Sequence, residues 1–202
     1  MLDVVRLLAR KVQGDLFFKL LCQKDASPFI SILPTNSHYF FNTSTPLTIY
    51  NETFDDLVIE CKTKSKILLN KDAVLPSPWS RSRLVKTLSH IGEGRQHGSW
   101  KQDKQNHYVQ LWLPMRLAWV KSGNHSITSG IIQSTGHIET HNVLDISKIY
   151  DHVTCDGINY IRKHDNKVIA PVYSVEIAAI FEIGRMIKDE LNSSTEHEIP
   201  NS

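Results

Sequence analysis

The segment that most restricts what this chain can fold into is an apolar strand that runs straight into a glycine turn. Leu117-Ala118-Trp119-Val120 is followed by Lys121-Ser122-Gly123-Asn124-His125-Ser126, and residues 127–133 then suit a helix. A helix opening on Asn, His and Ser directly after glycine leaves its first backbone N–H groups unpaired and pointing outward. That arrangement is a seat for phosphate or another anion.

The chain has 202 residues, enough for one domain with a real core and a helical appendage. Apolar residues make up 41% and charged residues 22%, which argues against wholesale disorder and against a membrane protein. No apolar run reaches bilayer length. Residues 1–11 are too broken by charge to act as a signal peptide. Cys22, Cys61 and Cys155 are odd in number and lack metal-type spacing, so they read as reduced thiols of a cytoplasmic protein. In that setting the Asn-x-Ser/Thr triplets at Asn42, Asn51, Asn124 and Asn192 carry no glycosylation meaning. A formal charge of +2 does not argue for nucleic acid in bulk, and a local patch would have to supply the attraction.

Apolar spacing predicts a helix over 4–22, a loop over 27–37 around Pro28 and Pro34, and a second helix over 52–66 capped by Asn51 or Thr53. Pro76 and Pro78 impose an extended segment, and Ser80 caps a helix over 81–92. A polar loop follows to about residue 105, then strands at 108–113 and 117–120, with 137–146 extended. Residues 158–162 and 167–172 suit a hairpin closed by Asp165-Asn166. Ser174 caps a last helix reaching Leu191. The mixture predicts an α+β fold: a small mixed sheet with packed helices. The expected divisions are a helical N-terminal layer (1–70), a core with a long C-terminal helix (71–191) and a disordered tail (192–202).

Several side chains are candidates for chemistry. Arg81, Arg83 and Arg95 bracket one helix and could reach a polyphosphate. In the loop 95–107, Trp100 could stack on a base or anchor the loop, and Asp103 with His107 could form an acid–base or metal-binding pair. Six of the ten histidines lie between His90 and His141. Among them, His137-x-Glu139-x-His141 would place two imidazoles and a carboxylate on one side of a strand, a set suited to zinc, iron or manganese. Solvated polar residues on a strand's wet face give the same pattern. No nucleophile elbow, Walker loop, Rossmann fingerprint or Cys-x-x-Cys pair occurs.

Two segments together resemble the paired motifs of the ParB/sulfiredoxin-like nucleotide-binding superfamily. Val74-Leu75-Pro76-Ser77-Pro78-Trp79-Ser80-Arg81-Ser82-Arg83, with Glu93 and Gly94 after it, resembles that superfamily's opening strand, Asn-Pro…Arg segment and helix. Gly123-Asn124-His125-Ser126 resembles its phosphate-gripping turn. Asn124 stands where sulfiredoxin has its nucleophilic cysteine, so sulfinic-acid repair is not implied. Ser126 replaces the usual arginine and removes a bidentate charge. Trp100, Asp103, Asn106 and His107, upstream of the turn, also resemble a bacterial family of unknown function.

The resemblance implies a core that binds a nucleotide or a nucleic-acid backbone. If the protein is an enzyme, phosphoryl transfer or phosphodiester hydrolysis with a divalent cation is the expected class. Gly123 and the amides of Asn124, His125 and Ser126 would then hold phosphate, and Arg83 would neutralise it. Asp103, His107 and His125 would supply metal contact or proton transfer. The alternatives are a metalloenzyme built on His137, Glu139 and His141, or a non-catalytic interaction module of bacterial defence, toxin or immunity. In that module the terminal helices would be the surfaces for a protein partner.

Overall fold

The computed structural model describes residues 1–22 and 40–196, so the expected loop at 27–37 lies outside the described residues. The centre is a five-stranded mixed sheet. Its order is β1 (Ile59–Cys61), β7 (Val143–Asp145), β4 (Val109–Leu113), β5 (Leu117–Val120) and β3 (Ala73–Leu75). β3 runs parallel to β5, and β4 parallel to β7; the β4–β5 and β1–β7 pairs are antiparallel.

Strand residues alternate between faces, and here both faces are covered. Leu75, Trp112, Leu117 and Trp119 point to one apolar cluster, built with α1 (Leu2–Cys22) and α6 (Val175–Glu196). Val74, Val109, Leu111, Ala118 and Val120 point to another, closed by Trp100, by Ile127 of α4 (Asn124–Ile132), and by Ile67 and Ile138. The last two belong to an antiparallel ribbon of β2 (Ser65–Leu68) and β6 (His137–Thr140). Two-sided burial explains why β3 and β5 carry apolar residues at every position.

α1 buries Val5, Ala9, Val12, Leu16 and Phe17 in the same cluster as Ile177 and Phe181 of α6, so the two terminal helices share one core. The same core holds an aromatic group. Phe40 meets Phe181 at 4.8 Å and Phe41 meets Tyr160 at 5.7 Å, both edge-on.

The expected helix over 52–66 is not formed. Only the single turn α2 (Phe54–Leu57) is helical, started by Asp56, whose carboxylate accepts from Thr53 N at 2.8 Å and Thr53 Oγ1 at 2.7 Å. Val58 then leaves in an extended conformation, and the following residues become β1 and β2, paired to β7 and β6. Sheet pairing with strands far along the chain outweighs a weak local helix preference.

The hairpin predicted near residues 158–172 is present as β9 (Asn159–Arg162) and β10 (Lys167–Pro171), joined by β8 (Val153–Cys155) into an antiparallel sheet. The short helix α5 (Ile149–His152) precedes β8. Asn166 adopts φ 54° in the hairpin turn, and Asp165 accepts from the Arg162 guanidinium at 2.9 and 2.6 Å. α6 continues through Asn192 to Glu196, so the polar segment expected to be disordered from Asn192 is helical over its first five residues. The Ser193 and Ser194 hydroxyls donate back to the Glu190 carbonyl at 2.9 Å each. No helix among the described residues is long and apolar enough to cross a membrane.

Candidate functional site

Because β3 and β5 are parallel neighbours, their carboxyl ends lie side by side. β3 passes through residues 76–80 into α3 (Arg81–His90), and β5 passes through 121–123 into α4. Two helix N-termini therefore open at one edge of the sheet, the crevice where α/β layers commonly place ligands. Buried Pro76 and Pro78 hold the first connection extended. Gly123 adopts φ 80°, ψ 20°, the left-handed conformation that lets the second turn sharply.

The two connections are latched together. Ser77 N donates to Asn124 Oδ1 at 2.7 Å, and Ser80 N donates to His125 Nε2 at 3.2 Å. Ser80 also caps α3, its hydroxyl accepting from Arg83 N at 3.3 Å. The Asn124 side chain thus ties down the neighbouring loop instead of capping its own helix. Gly123 at the N-cap has no side chain to offer, and Ser122 Oγ donates to Asn106 Oδ1 at 3.2 Å. The first bond of α4 is Ile127 N to Gly123 O at 2.9 Å. The amides of Asn124, His125 and Ser126 have no acceptor among the described residues. Helix capping by Ser122 or Asn124, the simplest account of the motif, is not how this turn is built.

Asn124, His125 and Ser126 line a cavity of about 320 Å³ whose other walls include Trp79, Arg83, Asn106 and Lys121. Among the described residues no aspartate or glutamate lines it. Trp79 is 53% exposed; its ring meets His125 edge-on at 4.4 Å, and the Arg83 guanidinium lies 5.6 Å from the ring centroid. Burial pushes the His125 pKa below the usual histidine range, and the Arg83 charge pushes the same way. With Nε2 accepting from Ser80 N, the neutral ring carries its proton on Nδ1. Burial also lowers the Lys121 pKa.

A model of a family of unknown function (DUF6710) matches residues 1–194. The chain belongs to that family. No curated protein and no solved structure matches it. The matched span runs from α1 into α6 and covers the residues that line the cavity.

Of the three bracketing arginines, Arg83 alone lines the cavity. Arg81 Nε donates to Leu21 O at 2.9 Å, fastening α3 to α1. The Arg95 guanidinium donates to the carbonyls of Leu88 and Ile91, satisfying the end of α3. Glu93 is exposed beyond that end.

Trp100 is not a surface platform. It is 5% exposed, donates from Nε1 to Ser126 O at 2.7 Å, and lies against Gly136 so closely that a Cβ there would overlap the indole. Its ring stacks on His107 at 5.1 Å with 10° between planes. His107, also 5% exposed, fills the space beneath Gly123 and accepts Asp103 N at Nδ1, 2.9 Å. Burial lowers its pKa, and the Asp103 charge opposes that. The Asp103 carboxylate accepts from Gln105 N at 2.9 Å. Neither Asp103 nor His107 lines the cavity; His107 supports the turn from below.

His137, Glu139 and His141 do not form a ligand set. Among the described residues no three His, Cys, Asp or Glu side chains are grouped as a metal would require. β6 ends at Thr140, whose hydroxyl donates to Val109 O at 2.6 Å, so strand alternation stops before His141. The Glu139 carboxylate pairs with Lys64 Nζ at 2.6 Å, which holds its pKa below the usual range. Sequence reasoning passed over Trp79 and Lys121. The signal for Trp79 was a large aromatic after Pro-x-Pro in a polar loop, where a core position is hard to reach.

Proposed function

We propose that the cavity at the start of α4 binds a phosphate-bearing ligand, a nucleotide or a nucleic-acid backbone. The observation that carries this reading is that Asn124, His125 and Ser126, whose amides have no acceptor among the described residues, line one cavity with Arg83, and no carboxylate of the described residues lines it. Preorganised N–H groups and the positive end of the helix dipole favour an anion there. The segments 74–83 and 123–126 resemble the paired ParB/sulfiredoxin-like motifs and contribute Trp79, Arg83 and residues 123–126 to the same cavity, which points the same way.

Magnitudes narrow the ligand. A charge-assisted bond from Arg83 contributes about 1.5–3 kcal/mol, and a helix start up to about 2 kcal/mol. Together these correspond to roughly millimolar binding of bare phosphate. Tighter association needs a base or further phosphates. Of the three candidates for proton transfer, Asp103, His107 and His125, His125 lines this cavity, while Asp103 and His107 lie outside its lining.

Asn124→Asp tests the reading. A carboxylate can still accept from Ser77 N, and negative charge in the first turn favours the helix, so the fold is retained. The same charge repels phosphate. The melting temperature of the wild-type protein rises with inorganic phosphate, ATP or a short oligonucleotide, and that of Asn124→Asp does not. No shift with any of the three, or an equal shift in the variant, overturns the proposal.

A further inference from the structure

A second cavity, of about 350 Å³, is lined by His107 and Tyr108, the residues that follow Asn106, and by Lys64, Lys104, Glu139 and His141 among others. Asn106 faces the first cavity, and His107 and Tyr108 face the second. The two are joined through backbone: Tyr108 O accepts from Lys121 N at 2.8 Å and from Ser122 N at 3.2 Å, both residues of the first cavity.

Each cavity presents one exposed aromatic ring and two lysine or arginine side chains. Trp79 is 53% exposed beside Arg83 and Lys121, and Tyr108 is 57% exposed in the cavity that holds Lys64 and Lys104. Glu139 in the second cavity pairs with Lys64 at 2.6 Å and also feels the Lys104 charge, so among the described lining residues two lysines face one carboxylate and the balance is positive. A ring beside cations, repeated in two cavities that neighbouring residues of one segment line, matches a chain whose bases and phosphates alternate.

We infer that the two cavities form one track for single-stranded nucleic acid, with a phosphate over the start of α4 and the adjacent nucleotide stacked on Tyr108. This rests on the phosphate reading of the first cavity and selects within it a polynucleotide over a free mononucleotide. A duplex does not fit the chemistry, because its bases are stacked on each other and offer no face to Trp79 or Tyr108. The 5% exposure of Trp100 removes it from this role; among the described residues that line the two cavities, Trp79 and Tyr108 are the exposed large rings.

The test compares fluorescein-labelled ten-nucleotide dT and rU strands with the mononucleotides TMP and UMP, by anisotropy and by titration calorimetry. The strands bind about tenfold or more tightly than the mononucleotides, the size expected from one added stacking platform. Tyr108→Ala, at a half-exposed ring, and Lys104→Glu, on the exposed loop, each remove most of that gain and leave mononucleotide binding unchanged. The dT and rU arms identify which nucleic acid is preferred. If mononucleotides bind and the strands bind no tighter, or if both variants leave strand affinity intact, the track is refuted and the first cavity stands alone. If neither mononucleotide nor strand binds, both readings fall.

Discussion

Alanine at Gly123 puts a methyl group where two separate constraints meet. Gly123 has φ 80°, and an L-residue in that left-handed region costs about 1–2 kcal/mol. The added Cβ also overlaps His107 Cδ2 and sits 3.2 Å from Asn106 O. The imidazole cannot yield easily, because it is stacked on Trp100 and its Nδ1 holds Asp103 N. Overpacking of this kind costs about 1–3 kcal/mol. The sum, roughly 2–5 kcal/mol, lowers the melting temperature by roughly 4–20 °C in a chain of this size. Gly94→Ala is the matched control, since Gly94 has φ 72° but nothing within 4 Å of an added Cβ. It carries the backbone strain alone, about 1–2 kcal/mol. Adding His107→Ala to Gly123→Ala removes the overlap, so urea denaturation of the double variant shows less destabilisation than the sum of the singles, by roughly 0.5–3 kcal/mol. Equal losses for Gly123→Ala and Gly94→Ala, or strict additivity in the double variant, refute the account of a turn resting on His107.

Further measurements address other parts of the fold. His107 and His125 both have pKa values held below the ordinary 6.5. The unfolded chain therefore takes up protons first, and stability that is complete above about pH 7 is lost as pH falls through 6.5 toward the folded values. Melting curves in phosphate-free buffers show this decline, His125→Gln reduces it, and a melting temperature that rises on acidification contradicts the assignment. Trp100→Phe keeps a ring against His107 but loses the bond to Ser126 O, costing about 1–3 kcal/mol, whereas Trp100→Ala costs about 3–5 kcal/mol by chemical denaturation. An equal, small effect of both would mean that Trp100 is not an anchor. Gly184→Ala in α6 gains about 1 kcal/mol of helix propensity. Its methyl, however, overlaps Tyr150 Oη and lies 3.1 Å from Met115 Cε. Net destabilisation is expected, and a stabilised variant would show that α6 can shift off Tyr150.

What could be read along the chain was whatever a few neighbouring residues control. Ser80 caps α3, Asp165-Asn166 turns the hairpin, Pro76 and Pro78 keep their segment extended, and glycine precedes a helix with open amides. Each of these is a local balance of dihedral preference and short-range hydrogen bonding, and it survives in any tertiary setting. The residues at 52–66 fared differently, because strands β6 and β7 claim them for pairing. The site divides in the same way. That a turn at Gly123 could receive an anion was visible in the sequence; which side chains surround it was not. Asn124 and His125 find their partners 47 and 45 residues away, Trp100 reaches Ser126 across 26, and Arg81 turns to α1 across 60. Those choices follow from the order of strands in the sheet and from which loop lies beside which, and short-range periodicity carries no information about either.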